Sequence, residues 1–395
     1  MNKCFPLLFL PFLLCGCLYT SPVETTEVFS ETALPTAATA TTAPVTEPIT
    51  LSTDPAETEP LFDPMVFVQK LTAQELVGQL FLARYDESRA IEDIGNYHLG
   101  GYVLFSRDFA SSSPEDIQSK TNSCQAASRL PMLIAIDEEG GSVVRVSGHS
   151  QFRSSPFPSP RTLYNTGGID LIVETEIEKC RLLKSLGINV NLAPVCDITT
   201  DPNAFMYPRS LGQSPAITGA FAADVCAVMA QERIGSVLKH FPGYGNNVDT
   251  HIGIAVDKRS LEELEAQDLL PFRAGIAAGC GGILVSHTIV EAIDPTTPAS
   301  LSPKAIRYLR RNLGFSGVII TDDLIMEAIT DTYGTGEAAV LAILAGCDLL
   351  CSTDYEIQYS AVLDAVNTGR IPIEQLRQSA ARILQWKHDL GLFPQ

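Results

Sequence analysis

The run from Lys239 to His251, KHFPGYGNNVDTH, carries a lysine, two histidines and an aspartate in thirteen positions, with Pro242, Gly243 and Gly245 breaking any regular structure. Asp249 and His251 stand two residues apart, close enough for the carboxylate to orient the imidazole. Such a pair makes the ring a proton donor and acceptor near neutral pH. Alone, an Asp-Thr-His triplet is more often a solvated turn than a catalytic pair. Its chemistry gains weight from Asp137, Asp197, Asp322 and Asp323, each of which closes or follows an apolar run. Carboxylates at separate strand ends, with an Asp–His pair on a loop, suit acid–base work on a bound substrate.

Positioning these groups falls to the apolar runs, which cover residues 79–84, 101–106, 132–137, 188–194, 236–241, 282–287, 317–323 and 347–352. Each is nearly continuously hydrophobic, as strands buried on both faces of a parallel sheet must be. The amphipathic segments between them open with helix-start chemistry. Ser113-Pro114 and Ser302-Pro303 place a cap before a proline, and Ser260 with Glu263 forms a capping box. Eight β/α units in series predict an α/β fold, a single (β/α)8 TIM-type barrel, with an open doubly wound sheet as the alternative. Polar residues gather at the C-terminal ends of the runs: Asp137, Asp197, Lys239 and His240, Ser286 and His287, Asp322 and Asp323. In a barrel those ends share one rim, where active sites are assembled. Polar residues placed without function would occupy both ends, so the asymmetry favours an enzyme over a binding protein.

Across 395 residues the net charge is −19, with no basic patch, which argues against nucleic acid as a partner. The chain opens MNKCFPLLFLPFLLCGC, a short apolar run behind one lysine, as in an export signal. Leu14-Cys15-Gly16-Cys17 resembles a bacterial lipobox, making Cys17 the expected acylated residue and residues 1–17 a lipoprotein-type signal peptide. Residues 18–61 are rich in Thr, Pro and Glu, with acids at Glu24, Glu27, Glu31, Glu47, Asp54, Glu57 and Glu59 and no Lys or Arg. That composition cannot repay the entropy of folding, so a disordered tether is expected, with a reach of roughly 40 Å. Residues 62–395 then form the barrel domain, exported and held at the bacterial cell surface through a lipid anchor. Outside the signal, Cys124, Cys180, Cys196, Cys226, Cys280, Cys347 and Cys351 are odd in number and lie in apolar segments, so they read as small buried hydrophobes. No CxxC pair or His-x-x-x-His motif marks a metal site, and no cofactor is expected.

The motifs along residues 65–392 resemble glycoside hydrolase family 3, in its β-N-acetylglucosaminidase branch. KHFPG (239–243) is similar to that family's catalytic loop, IAIDEEGGSVVR (134–145) to its Asp-x-Glu-Gly-Gly segment, NVNLAPVCDI (189–198) and YPRSLG (207–212) to its next landmarks, and GVIITDDLIMEAI (317–329) to its nucleophile segment. Five motifs in the right order make the match specific. By this resemblance Asp322 is the catalytic nucleophile, His251 the general acid/base and Asp249 the residue that supports it. Asp137, Arg145, Arg209, Lys239 and His240 match the positions that hold the sugar, and Asp197 matches a landmark expected to give structural support.

Two departures stand out: Tyr244 replaces the second histidine of the His-Phe-Pro-Gly-His-Gly pattern, and the interval from Lys239 to Asp249 is one residue shorter. The related β-glucosidases take their acid/base from a second domain. Here the chain ends after the last barrel helix, leaving the loop pair as the expected donor. The resemblance thus implies a retaining exo-β-N-acetylglucosaminidase acting on GlcNAc-containing saccharides or muropeptides. A β-N-acetylglucosaminide phosphorylase and a catalytically silent sugar-binding lipoprotein are the alternatives. A His acid/base lacks the charge that repels phosphate, which keeps the phosphorylase open.

Overall fold

A computed structural model describes residues 62–199, 201–245 and 255–393. The expected signal peptide and tether, Cys17, and the Asp249–His251 pair lie outside the described residues.

All eight apolar runs form strands: β1 (Phe81–Arg84), β2 (Gly101–Leu104), β3 (Leu133–Ile136), β4 (Val190–Asn191), β5 (Gly235–Phe241), β6 (Gly282–Val285), β7 (Val318–Thr321) and β8 (Leu350–Ser352). Every residue of β2 to β7 is buried, which is why these strands read as unbroken hydrophobic runs rather than as alternations. Each fully buried Ile, Leu or Val contributes about 1.5–3 kcal/mol relative to exposure. Neighbouring strands pair in parallel around the sheet, with β8 beside β1. Between β7 and β8 the Thr321 amide donates to the Leu349 carbonyl at 3.0 Å and the Leu349 amide to the Ile319 carbonyl at 3.1 Å. This closes the ring, so the open doubly wound alternative is set aside and the (β/α)8 barrel stands.

Serine–proline pairs start four of the helices, Pro114–Ala127, Pro160–Ser185, Pro215–Gln231 and Pro303–Arg311. In each the serine side chain accepts an otherwise orphaned backbone N–H of the first turn, while proline occupies a position that needs no donor. The Ser260–Glu263 capping box forms as expected at the start of Leu261–Ala266. The last helix, Ile373–Asp389, brings Trp386 under the barrel. A Cβ on Gly281, just before β6, would fall 2.0 Å from the indole nitrogen, so glycine alone admits this plug.

The polar asymmetry of the strands has an exception at this N-terminal end. Asp348, just before β8, is fully buried and accepts from the Ile319 amide (2.9 Å), Ser379 (2.8 Å), Arg382 (2.7 Å) and Arg310. It fastens the last helix to the barrel, the stability role expected of that face. All seven cysteines of the described residues are free, six of them buried, as small hydrophobes would be.

Candidate active site

At the C-terminal rim of the barrel a cavity of ≈ 250 Å³ is lined by Asp137, Glu139, Arg145, Arg209, Lys239, His240, Tyr244, Asp322 and Asp323, with apolar walls from Phe105, Leu284 and Met326. These residues come from the ends of β3, β5 and β7 and from the loops after β3 and β4. All six expected groups that are described therefore share one cavity: Asp137, Arg145, Arg209, Lys239, His240 and Asp322. A larger cleft of ≈ 390 Å³ opens beside Trp386 at the other end, but its Arg382 is already committed to Asp348.

The β3 end builds the floor. Gly140, at φ +96°, turns the chain where a Cβ would meet the Pro158 carbonyl at 2.3 Å. Behind that turn the buried Glu138 carboxylate accepts from the amides of Arg145 (2.7 Å), Val146 (2.7 Å) and Ser147 (3.3 Å), and from the Ser147 hydroxyl. Glu138 thereby fixes the backbone from which Arg145 enters the cavity. Arg145 lines the cavity, and its Nε is buried without a hydrogen-bond partner.

Glu139 joins the two halves of the cation cluster. It accepts from Arg209 Nε at 2.9 Å and Nη2 at 2.7 Å, and its Oε1 lies 2.6 Å from Lys239 Nζ. Lys239 also donates to Asp137 at 2.6 Å. Burial alone would raise the Glu139 pKa, but the charges of Lys239 and Arg209 overcome it and hold the carboxyl well below the usual carboxylate range. Burial likewise works against charged Lys239, and the carboxylates of Asp137 and Glu139 reverse that and raise its pKa. The result is a preorganised row of charge-assisted donors and acceptors along the cavity.

The buried Asp197 does not line the cavity. It clamps the loop instead, accepting from the His240 amide (3.2 Å), the Tyr244 amide (2.8 Å) and the His240 ring at Nδ1 (2.7 Å). With Nδ1 turned to a carboxylate, the ring proton sits there, and Nε2 faces Arg209 Nη2 at 3.2 Å as an acceptor. The expectation of structural support for Asp197 has this physical content. Tyr244, the departure from the family pattern, is buried with its ring edge-on to His240 at 5.2 Å, so it walls the cavity.

Asp322 follows β7, its backbone amide bonded to the Val285 carbonyl of β6 at 3.0 Å, and its carboxylate accepts from the Asp323 amide at 3.0 Å. Asp323 is no helix cap, since Met326 occupies that position for Glu327–Tyr333. It accepts from the Thr353 amide at 3.2 Å and the Thr353 hydroxyl at 2.5 Å, tying β7 to β8, and its burial raises its pKa. Ser286 and His287, grouped with the rim by the sequence, are fully buried behind it. The His287 ring bonds Ser300 (2.7 Å) and the Asp323 carbonyl (3.1 Å) and supports the turn after Asp322 from below.

Sequence reasoning does not single out Glu138 and Glu139, even though both stand inside the IAIDEEGGSVVR motif. The signal that could have found them is two further acids at a strand end that faces the rim. Among the described residues no group of three or more His, Cys, Asp or Glu is placed to hold a metal ion.

Comparison with known proteins agrees with this architecture. Residues 72–386 match the model of the glycosyl hydrolase family 3 N-terminal domain. A β-hexosaminidase of Stenotrophomonas maltophilia is 35% identical over 258 residues, 64% of this chain and 75% of that one. The β-hexosaminidase LpqI of Mycobacterium tuberculosis is 31% identical over 335 residues, 80% of this chain and 83% of its own. Among solved structures, a glycoside hydrolase family 3 β-N-acetylglucosaminidase from Paenibacillus superposes with a TM-score of 0.77 at 32% identity, covering 82% of this chain and 63% of that one. With a closed parallel barrel, an acid-lined cavity at its C-terminal rim and a family match along most of its length, this chain is a glycoside hydrolase and belongs to glycosyl hydrolase family 3, among its β-hexosaminidases.

Proposed function

We propose that the protein is a retaining exo-β-N-acetylglucosaminidase that removes terminal β-linked GlcNAc from peptidoglycan fragments. The observation that carries the reading is the rim cavity, sized for a single sugar unit, in which Asp322 stands with Asp137, Arg145, Arg209, Lys239 and His240. The similarity to β-hexosaminidases supports the same activity. In this mechanism the sugar is held by the five polar residues, and the Asp322 carboxylate attacks the anomeric carbon. His251 protonates the departing glycosidic oxygen, and a covalent glycosyl-enzyme forms. His251 then takes a proton from water, which attacks the same carbon and frees Asp322, so the anomeric configuration is retained. Asp249 orients His251 and stabilises its charged form. The support for this pair is the order of the sequence: Asp249 and His251 follow closely after Tyr244, which lines the cavity.

The acylated Cys17 and the acidic tether would hold the enzyme at the outer surface of the membrane, next to its polymer. Support for this comes from the lipobox-like sequence and the Pro- and Thr-rich composition that follows it. Asp322→Ala should abolish release of nitrophenol from p-nitrophenyl β-GlcNAc, and NMR should show the β-anomer as first product of the unaltered enzyme. Appreciable turnover by the variant, or an α-anomer as first product, overturns the assignment. Including inorganic phosphate separates hydrolysis from phosphorolysis, since the phosphorylase alternative requires GlcNAc-1-phosphate.

A further inference from the structure

Two stretches flank the Asp249–His251 pair in sequence, residues 239–245 before it and 255–260 after it. The first lines the rim cavity through Lys239, His240 and Tyr244. In the second, Val256–Asp257 pairs in parallel with Ile289–Val290, just beyond β6. Arg259 gathers the charges of this second stretch. It donates Nε to both oxygens of Asp257 at 3.0 Å and Nη2 to the same carboxylate at 2.6 Å. It also donates Nη1 to Asp268 at 2.5 Å and Nη2 to Asp268 at 3.3 Å. Both carboxylates are buried, so removing their shared cation would leave two charges uncompensated.

The first stretch lies directly on this cluster. A Cβ on Gly243, at φ +120°, would fall 2.6 Å from Asp268 Oδ1. One on Gly245, at φ +56°, would fall 2.6 Å from Arg259 Nη2. Glycine alone permits that approach. Asp268 holds the N-cap position of helix Leu269–Ala277 yet makes no capping bond, so its carboxylate serves Arg259 rather than its own helix. Burial pushes the Asp268 pKa up to about 6 against the pull of Arg259, and the charges of Asp197 and Asp257 add to the rise.

We propose that Arg259 is a positioning residue for proton transfer: bridged between Asp257 and Asp268 and packed on Gly245, it holds together the two stretches that flank the Asp249–His251 pair. The inference rests on the reading of His251 as the acid/base and adds the group that sets where the ends of its segment stand. Arg259 is not among the groups that line the cavity, so it acts through the backbone and not on the sugar. Misplacing a proton donor by about 1 Å costs on the order of a hundredfold in rate. That loss falls only on leaving groups that need a proton.

The test therefore varies the leaving group. Dinitrophenolate departs without a proton, whereas phenol requires one. Values of kcat/KM are measured for the two β-GlcNAc glycosides on the full-length protein at about pH 7.5, where Asp268 is charged. Arg259→Gln should lose about a hundredfold on the phenyl glycoside and less than about threefold on the dinitrophenyl one. Arg259→Lys, which keeps the charge but not the planar fork, should fall between the native protein and Arg259→Gln. Gly245→Ala removes no charge but puts a methyl where the guanidinium stands, and it should repeat the selective loss. If Arg259→Gln does not fold, Gly245→Ala and Arg259→Lys carry the same comparison. Equal losses on both glycosides, or none on either, overturn the inference and leave Arg259 a brace of the fold. His251→Ala sets the benchmark: without the same selectivity in that variant, the acid/base reading itself falls.

Discussion

Replacing Glu139 with glutamine tests the cation cluster most directly. The carboxylate holds three charge-assisted contacts, two with Arg209 at 2.9 and 2.7 Å and one with Lys239 at 2.6 Å. The amide of Gln is nearly isosteric but keeps one acceptor oxygen, and its NH2 points a donor at a cation that is also a donor. At least one charged contact is lost and one buried cation is left partly uncompensated; at about 1.5–3 kcal/mol for the contact, a net loss of roughly 3 kcal/mol is expected. For a barrel of this size that is about 5 °C or more in thermal midpoint. Lys239 should then draw toward its remaining partner Asp137, and kcat/KM on an aryl GlcNAc glycoside should fall with it.

The pH dependence supplies the second readout. Because the Glu139 pKa is lowered in the folded state, its contribution to stability is complete above the unfolded carboxylate value and is lost as pH falls below it. The gap in thermal midpoint between the native protein and Glu139→Gln should therefore be full at pH 6 and narrow progressively below about pH 4. Thermal unfolding followed by circular dichroism between pH 3 and pH 7 measures both. A variant as stable as the native protein at pH 6, or a gap that does not narrow in acid, would refute the claim that this carboxylate is what compensates the two cations.

Two further outcomes follow from other groups. Arg145→Met keeps the aliphatic stem while removing a guanidinium whose Nε has no protein partner, so the thermal midpoint should stay nearly unchanged. Its kcat/KM should fall roughly ten- to hundredfold, and a variant that loses stability but not activity would make Arg145 a structural residue. Lys387 is fully buried, donates to Gln79 at 2.8 Å, and is lowered by burial to a pKa of about 7. Since the unfolded value lies near 10.4, the unfolded chain binds more protons between about pH 7 and 10, and stability should rise with pH across that window. Lys387→Met should flatten the rise, measured as thermal midpoints at pH 7 and 9.5; an unaltered slope would show that Lys387 titrates as in water.

The strands were legible because burial on both faces makes them nearly continuous apolar runs, so eight such runs mark eight strands without any partner being known. Helix starts were legible for a local reason too, as a serine and a proline satisfy the first turn by themselves. Asp322, Asp137 and Lys239 could be placed at one rim because they end their runs, and a closed barrel gathers strand ends. What the runs could not specify is the direction each side chain takes. Continuous apolar strands have no alternation, so the run pattern does not separate His240, which faces the cavity, from His287, which turns behind it to Ser300.

The partners of Glu139 and Asp197 belong to the tertiary structure alone. Glu139 meets Arg209 across a separation of 70 residues, and Asp197 meets His240 across 43. A carboxylate becomes a bridge or a clamp only when barrel closure brings its partners within hydrogen-bond distance and removes the water that would otherwise satisfy them. Sequence determined which elements form and which chemistry they carry. Closure of the ring decided which charges share one desolvated space, and hence which of them line the cavity and which fix those that do.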